Sequence, residues 1–315
     1  MTTLGSEVEA SPARKRFLRS FRLSNTGFSI LLLLPALLIL AFTIIYPLVR
    51  GIYLSLNSYS LVNFGAGIEW VGLQNFKTLL SSPDYLAVWW TTILFVAGSV
   101  GGQFILGFLT AIVLNQDLRQ RNLFRGLFLV PWIVPTVVAS LLFKWIYNQQ
   151  YGIFDYVLRS VGLISEFKAW IGDPNLALFS VTLANVWKGF PFHMIVLLAA
   201  LQTIPSEVVE ASIIDGAGAL GRFRWVTLPH LRYIIMIDLL ISIIWTFQNF
   251  TMIWTMTEGG PVTATTTLAI SIYRTAFQAF DMGMGAAIGA IWLAFMVVFS
   301  VLFVRFIGGT TRLEI

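Results

Sequence analysis

The stretch EASIIDGAGALGRFRWVTLPHLR, Glu210 to Arg232, decides how the rest of the chain is read. Apolar runs flank it, Leu176 to Ile204 before and Tyr233 to Met256 after, so it joins two segments of membrane-crossing length. A plain connector needs only a short polar string, whereas this one has helical patterning, glycines at its centre and a proline at its close. Ser206 stands as an N-cap after Pro205, and Val208, Val209, Ile213 and Ile214 follow on a helix expected to break at Gly216 and Gly218. A second short helix is expected through LGRFRW, with Pro229 marking entry to the next span. Small residues (Ala211, Ser212, Ala217, Ala219) permit close approach of another surface. Glu210 and Asp215 offer charge to basic partners, Arg222 and Arg224 to acidic ones or to lipid phosphates. On composition alone the segment also fits a helix lying on lipid headgroups.

Outward from that stretch, hydrophobic residues make up 57% of 315 and charged ones 11%, against about 45–50% and 25% in soluble domains. The chain therefore reads as an all-α polytopic membrane protein whose core is its own helical bundle. Six segments approach the roughly 20 apolar residues needed to cross the hydrocarbon. They begin at Phe28, Val88, Phe124, Leu176, Tyr233 and Gly283. The expected organisation is a cytoplasmic tail (1–27), a first transmembrane helix (28–49) and an external loop with an amphipathic helix (50–87). A five-helix core (88–307) containing the cytoplasmic segment 203–232 and a cytoplasmic tail (308–315) complete it. The basic flank RKRFLRSFR gives the first span a signal-like start, but its apolar run is too long for a signal core, so it reads as an uncleaved anchor. With both termini inside, thirteen of the twenty Lys and Arg fall on the cytoplasmic side. Leu73, Phe76, Leu79 and Leu80 space an amphipathic helix in the external loop.

The net charge of +5 is dispersed beside apolar spans and forms no basic face for nucleic acid. The absence of cysteine removes disulfides and thiolate chemistry. No GxxxxGK[ST] loop, HExxH or GxSxG occurs, and the two histidines, His193 and His230, make no metal cage by themselves. Any ATP-driven work then needs a partner. The glycine pairs Gly98/Gly102 and Gly285/Gly289 mark closely packed helices.

Two helices carry polar stripes inside the bilayer. Asn185, Lys188, Gly189 and Phe192 share one face of the fourth span, and Ser242, Trp245, Thr246 and Asn249 share one face of the fifth. Gln248 lies near the second stripe as a weaker candidate. A charge at mid-span costs about 2.5–3.5 kcal/mol, so Lys188 is expected to face the bundle interior. Such faces suit sugar recognition, with amides and hydroxyls meeting ring hydroxyls and an aromatic lying against the ring. They equally suit hydrogen bonds that only hold helices together. Asp238 is expected to pair with a nearby Arg, and Pro191 to loosen backbone carbonyls beside a cavity.

The opening stretch resembles the EAA loop of ABC importer permeases: EAA, three residues, Gly, nine residues, Ile, any residue, Leu-Pro. Here Glu210, Ala211, Ser212, Gly216, Val226, Leu228 and Pro229 keep every spacing, with Ser212 for Ala and Val226 for Ile. WVGLQNFKTLL, RGLFLVPWIVP, WKGFPFHMIVLLAALQTIP and EGGPVTATTTLAISIYRTAF resemble the carbohydrate-importing branch, similar to maltose and glycerol-phosphate permeases. The resemblance implies a type I importer permease fold, with coupling to an ATPase through Glu210, Ala211, Ser212, Asp215, Gly216, Arg222 and Pro229. It aligns the eight stripe residues with the sugar-contacting positions of the maltose-type permease; Asn185, Gly189, Ser242 and Asn249 keep residue type, Lys188 and Thr246 depart from it. It implies as partners a second homologous permease subunit, two cytoplasmic ATPase subunits that use ATP and Mg, and an external substrate-binding protein. No cofactor is implied for this chain, and the location implied is the bacterial or archaeal cytoplasmic (inner) membrane. Two rival readings remain: an ion-coupled secondary transporter, which calls for buried carboxylates and repeated halves, and a membrane enzyme acting on lipid-linked sugars. Neither predicts the EAA spacing.

Overall fold

The computed structural model describes residues 25–62 and 67–311; the first 24 residues, most of the expected N-terminal tail, lie outside them. Among the described residues, five helices are long and apolar enough to cross a membrane, and a sharply bent helix pair makes a sixth candidate span. The chain divides into two units, Met1–Tyr53 and Leu54–Ile315. The first contains α1 (Asn25–Leu40), a π-turn (Ala41–Ile45) and most of α2 (Tyr46–Ser55). The π-turn keeps α1 and α2 in one apolar run, Phe28–Ser55, longer than the expected 28–49.

The second unit opens with a two-residue antiparallel ribbon, β1 (Asn57–Ser58) and β2 (Glu69–Trp70), pairing Asn57 with Trp70 and Ser58 with Glu69. Helix α3 (Gln74–Ser81) follows, pinned by Asn75, whose buried amide donates to the Ser55 and Asn57 carbonyls at 3.0 Å. Of its predicted apolar face, Leu79 is buried with Tyr85, Leu268 and Ile288 and Phe76 packs beside them, while Leu73 and Leu80 stay exposed. Helix α4 (Pro83–Leu114) starts earlier than Val88 because Pro83 occupies its first turn and the Ser82 hydroxyl accepts from the Tyr85 N–H.

The third span is broken. Helices α5 (Arg121–Ile133) and α6 (Thr136–Ile146) meet at 93°. Pro135 forces Val134 out of the helical region, to ψ 128°, since its ring clashes with a helical predecessor. After α7 (Ile153–Ser160), the chain returns through a loop held by Asp155, which accepts from Trp170 Nε1 at 2.7 Å and from the Lys168 N–H.

Helix α8 (Pro174–Leu201) packs along α4 at glycine distance. A Cβ on Gly98 would meet Thr182 at 3.0 Å, one on Gly102 would meet Val186 at 2.6 Å, and one on Gly107 would meet His193 Cβ at 2.5 Å and the Phe190 carbonyl at 2.8 Å. The predicted glycine strip thus faces the chain's own helix; Gly285 likewise faces Ala276. After α9 (Ser206–Ile214) and α10 (Ala219–Arg222), a π-turn (Phe223–Thr227) leads into α11 (Leu228–Phe247). The predicted fifth span does not run unbroken to Met256: α11 stops at Phe247 and α12 (Thr251–Thr257) restarts after three residues. Helix α13 (Leu268–Tyr273), a further π-turn (Arg274–Gln278) and α14 (Met282–Thr311) complete the bundle.

Candidate functional site

The two polar stripes converge. Asn185, Lys188, Gly189 and Phe192 from α8 line one cavity of about 190 Å³. Ser242, Trp245 and Thr246 from α11, with Asn249 beyond its end, line the same cavity. Gln248 is exposed and absent from this lining.

Asn249 reaches the cavity from the break between α11 and α12 rather than from a helical face. Its N–H bonds the Thr246 carbonyl at 3.1 Å, a tightened last turn, and its carbonyl oxygen Oδ1 accepts from the Met252 N–H at 3.4 Å. Its Nδ2 donates to Asn185 Oδ1 at 2.8 Å, tying the stripes together across the cavity. Asn185 Nδ2 is buried and has no partner among the described residues. Beside this pair, the rings of Phe192 and Trp245 lie 5.0 Å apart at 56°, and Trp245 is 56% exposed. An amide donor without a partner, a hydroxyl from Ser242 and an available indole face are the groups that bind a polyhydroxylated ring.

Three further lining residues escaped the sequence reading. Gln103 of α4 is buried and donates from Nε2 to the Asn185 carbonyl at 2.9 Å. It lies there because Gly189 has no side chain: a Cβ at that position would occupy the place of the Gln103 amide. Trp132 and Thr136 arrive from either side of the α5/α6 break. The break also explains Lys188, whose Nζ donates to the Trp132 carbonyl at 2.9 Å. In an unbroken helix that carbonyl would accept from residue 136.

Asp238 pairs not with an arginine but with His193, Nδ1 to Oδ2 at 2.5 Å, with both side chains buried between α8 and α11. Asp238 lies one turn before Ser242 and His193 directly follows Phe192, so the pair sits beside the cavity without lining it.

The segment between these helices has a different character. No residue of α9 is buried, and Glu210, Ala211, Asp215 and Gly216 are all exposed. Ser206 begins the helix as its first residue instead of capping it; Pro205 holds the cap position. The end is a Schellman turn: the Gly216 N–H bonds the Ile213 carbonyl and the Ala217 N–H bonds that of Ser212, with Gly216 at φ +79°. The expected second helix is not a separate element. From Ala219 the chain is helical through to Phe247, one run of 29 residues. The π-turn makes this possible, because the Leu228 N–H reaches the Phe223 carbonyl one residue farther back, just ahead of Pro229 with its missing donor. Arg222 and Ser212 are half-buried, and the Ser212 hydroxyl donates to the Val209 carbonyl at 2.6 Å. Ile214 (85% exposed), Leu220 (79%) and Trp225 (75%) are uncovered apolar side chains on either side of the turn.

Membrane-length helices around a small polar cavity, with an exposed helix linking two of its walls, define a solute-transport subunit. Residues 103–311 match the model of the binding-protein-dependent transport system inner membrane component family, and the chain belongs to that family. It is 33% identical over 292 residues to the sulfoquinovosyl glycerol transport system permease of Agrobacterium fabrum, covering 93% of this chain and 94% of that one. It is 33% identical over 285 residues to the trehalose/maltose transport system permease of Thermococcus litoralis, covering 90% and 94%. A chain of the crystal structure of a bacterial ABC transporter that imports the acidic polysaccharide alginate shares the fold, with a TM-score of 0.75 at 21% identity over 96% of this chain and 99% of that one. The protein is therefore a multi-pass permease subunit of an ABC importer, with the type I fold, and a transport component rather than an enzyme.

Proposed function

We propose that this permease carries a sugar or sugar-like solute into the cytoplasm through the cavity between α8 and α11. The supporting observation is that two polar stripes, far apart in sequence, line one cavity and are joined there by the Asn185–Asn249 bond, with the Asn185 Nδ2 donor unused. The two relatives named above belong to transport systems for sulfoquinovosyl glycerol and for trehalose and maltose. The working importer comprises a second, related permease, two cytoplasmic ATPase subunits that use ATP and Mg, and an external binding protein, in the bacterial or archaeal inner membrane with both termini inside.

The exposed α9 is the docking element for the ATPase. Its unburied face and the apolar side chains of Ile214, Leu220 and Trp225 are what a socket on another protein would cover. Glu210 and Asp215 supply charge at its rim, and Gly216 supplies the left-handed turn that leads into the long helix.

Uptake of radiolabelled sugar by proteoliposomes holding all subunits tests both assignments. Glu210→Lys and Gly216→Pro are expected to uncouple ATP hydrolysis from uptake. Asn185→Ala with Asn249→Ala is expected to lower uptake with ATPase binding retained. Wild-type uptake in the first two variants would remove the coupling role, and loss of assembly in the double variant would make the asparagine pair purely structural.

A further inference from the structure

Among the described residues, Lys188 is the one ionic residue lining the cavity. Its ammonium carries three donors and no acceptor, and one donor is used on the Trp132 carbonyl. Among the described residues no carboxylate pairs with it. A crosslink to a single carbonyl requires no charge; a neutral amide would supply it. A cation within a membrane span pairs with another charge or with backbone carbonyls, or faces a polar cavity; Lys188 spends one donor on a carbonyl and turns the rest of its charge to a cavity lined by no carboxylate among the described residues.

A second cavity extends the pattern. Ile195 and Gln202 follow Lys188 at seven-residue steps on α8 and so lie on nearly the same side of the helix, each step nearer to α9. They line a cavity of about 290 Å³ together with Arg125 of α5. With its amide turned to suit its neighbours, Gln202 accepts from Nη2 of Arg121 at 2.5 Å and of Arg125 at 2.9 Å. Both guanidinium Nε atoms are buried without a partner among the described residues. Neither cavity is lined by Asp or Glu, and Asp238 is turned aside onto His193. The ionic residues lining the two cavities, Lys188 in one and Arg125 in the other, are both cationic.

We propose that the transported solute carries an anionic group, a carboxylate, phosphate or sulfonate, which Lys188 Nζ receives while the sugar ring meets the asparagine pair and Trp245. This rests on the reading of the cavity as the solute path. The basic end of the second cavity then favours passage of the same group toward the coupling end of α8. Charge-assisted recognition is stronger than a neutral hydrogen bond, and an uncharged sugar in the same place leaves the ammonium without a counter-ion.

The test is competitive uptake by the complete importer in proteoliposomes, with glucuronate against glucose and glucose 6-phosphate against glucose as paired probes. The readout is the acidic-to-neutral uptake ratio. For wild type at least one ratio is expected to exceed unity by about tenfold, the value of one charge-assisted hydrogen bond. Lys188→Met is expected to bring that ratio close to one, and Lys188→Arg to preserve it. Preference for the neutral probe, or an acidic preference that Lys188→Met leaves intact, overturns the proposal; the latter would place selection in the binding protein or on a partner permease. Asn185→Ala with Asn249→Ala separates this from the cavity reading. Loss of both members of a pair upholds the cavity whatever Lys188 does, while retention of both removes the cavity itself.

Discussion

The buried His193–Asp238 pair makes a sharp prediction about what holds the cavity walls together. Both side chains are essentially inaccessible, at 0% and 1% exposure, and they join α8 to α11 through one contact of 2.5 Å. His193 Nε2 and Asp238 Oδ1 have no further partners among the described residues, so each residue relies on the other. Removing one partner of a buried hydrogen bond typically costs about 1–3 kcal/mol, because the survivor is left desolvated and alone. Replacing both by apolar groups of similar volume is often neutral or stabilising. His193→Ala and Asp238→Ala should therefore each cost about 1–3 kcal/mol, a drop on the order of 5 °C in melting temperature. His193→Phe with Asp238→Leu should recover most of that loss, the new ring packing near Phe104, which now lies edge-on to the imidazole at 6.1 Å. Thermal unfolding of the purified importer in nanodiscs, analysed as a double-mutant cycle, gives the coupling directly. Single substitutions costing under about 1 kcal/mol, or a double variant costing the sum of its singles, would refute the assignment of the pair as a mutually dependent clamp.

Other expectations follow from close contacts. Gly107→Ala should destabilise by about 1–3 kcal/mol or more, since its Cβ would press on the Phe190 carbonyl at 2.8 Å and the Met194 nitrogen at 2.9 Å, backbone atoms that cannot swing away. Melting temperature checks this, and Gly101→Ala, whose Cβ meets nothing within 4 Å, serves as the control. Trp170→Phe removes the 2.7 Å indole donor to the buried Asp155 carboxylate and should cost about 1.5–3 kcal/mol. Here Asp155→Ala in the same background should add little if the bond is the main tie between α7 and the loop before α8.

Much of the site is legible in the sequence because helical periodicity is a strict rule. Residues at i, i+3, i+4 and i+7 share a face, and a polar face in a membrane helix must turn inward. Asn185 with its neighbours and Ser242 with its neighbours therefore converge without any structural knowledge. The same rule applied to Gln103, a lone amide in an apolar run, would have found it too. Trp132 and Thr136 are different: they enter the cavity only because Pro135 breaks the third span, and the size of a bend is not written in a proline. The partner of Asp238 is equally out of reach, since His193 is 45 residues away and only packing of α8 on α11 selects it over a nearby arginine. Pro229 misleads for a local reason: it signals a helix boundary, yet a π-turn absorbs its missing donor and the helix continues.

That continuity gives the proposed docking of α9 a mechanical consequence. The wall bearing Asn185 ends at Leu201, only a short link before Ser206, and the wall bearing Ser242 belongs to a helical run that begins at Ala219. Both cavity walls are therefore extensions of the two ends of one exposed helix. A continuous helix from Ala219 to Ser242 spans about 35 Å at 1.5 Å per residue and joins the turn after Gly216 to the cavity without an intervening loop. The His193–Asp238 contact clamps the two walls one turn from that cavity. Loosening it should let the walls move independently, so that Asp238→Asn keeps assembly and ATP hydrolysis while lowering the uptake obtained per ATP. A linkage in which the two walls already moved separately would instead leave that ratio unchanged.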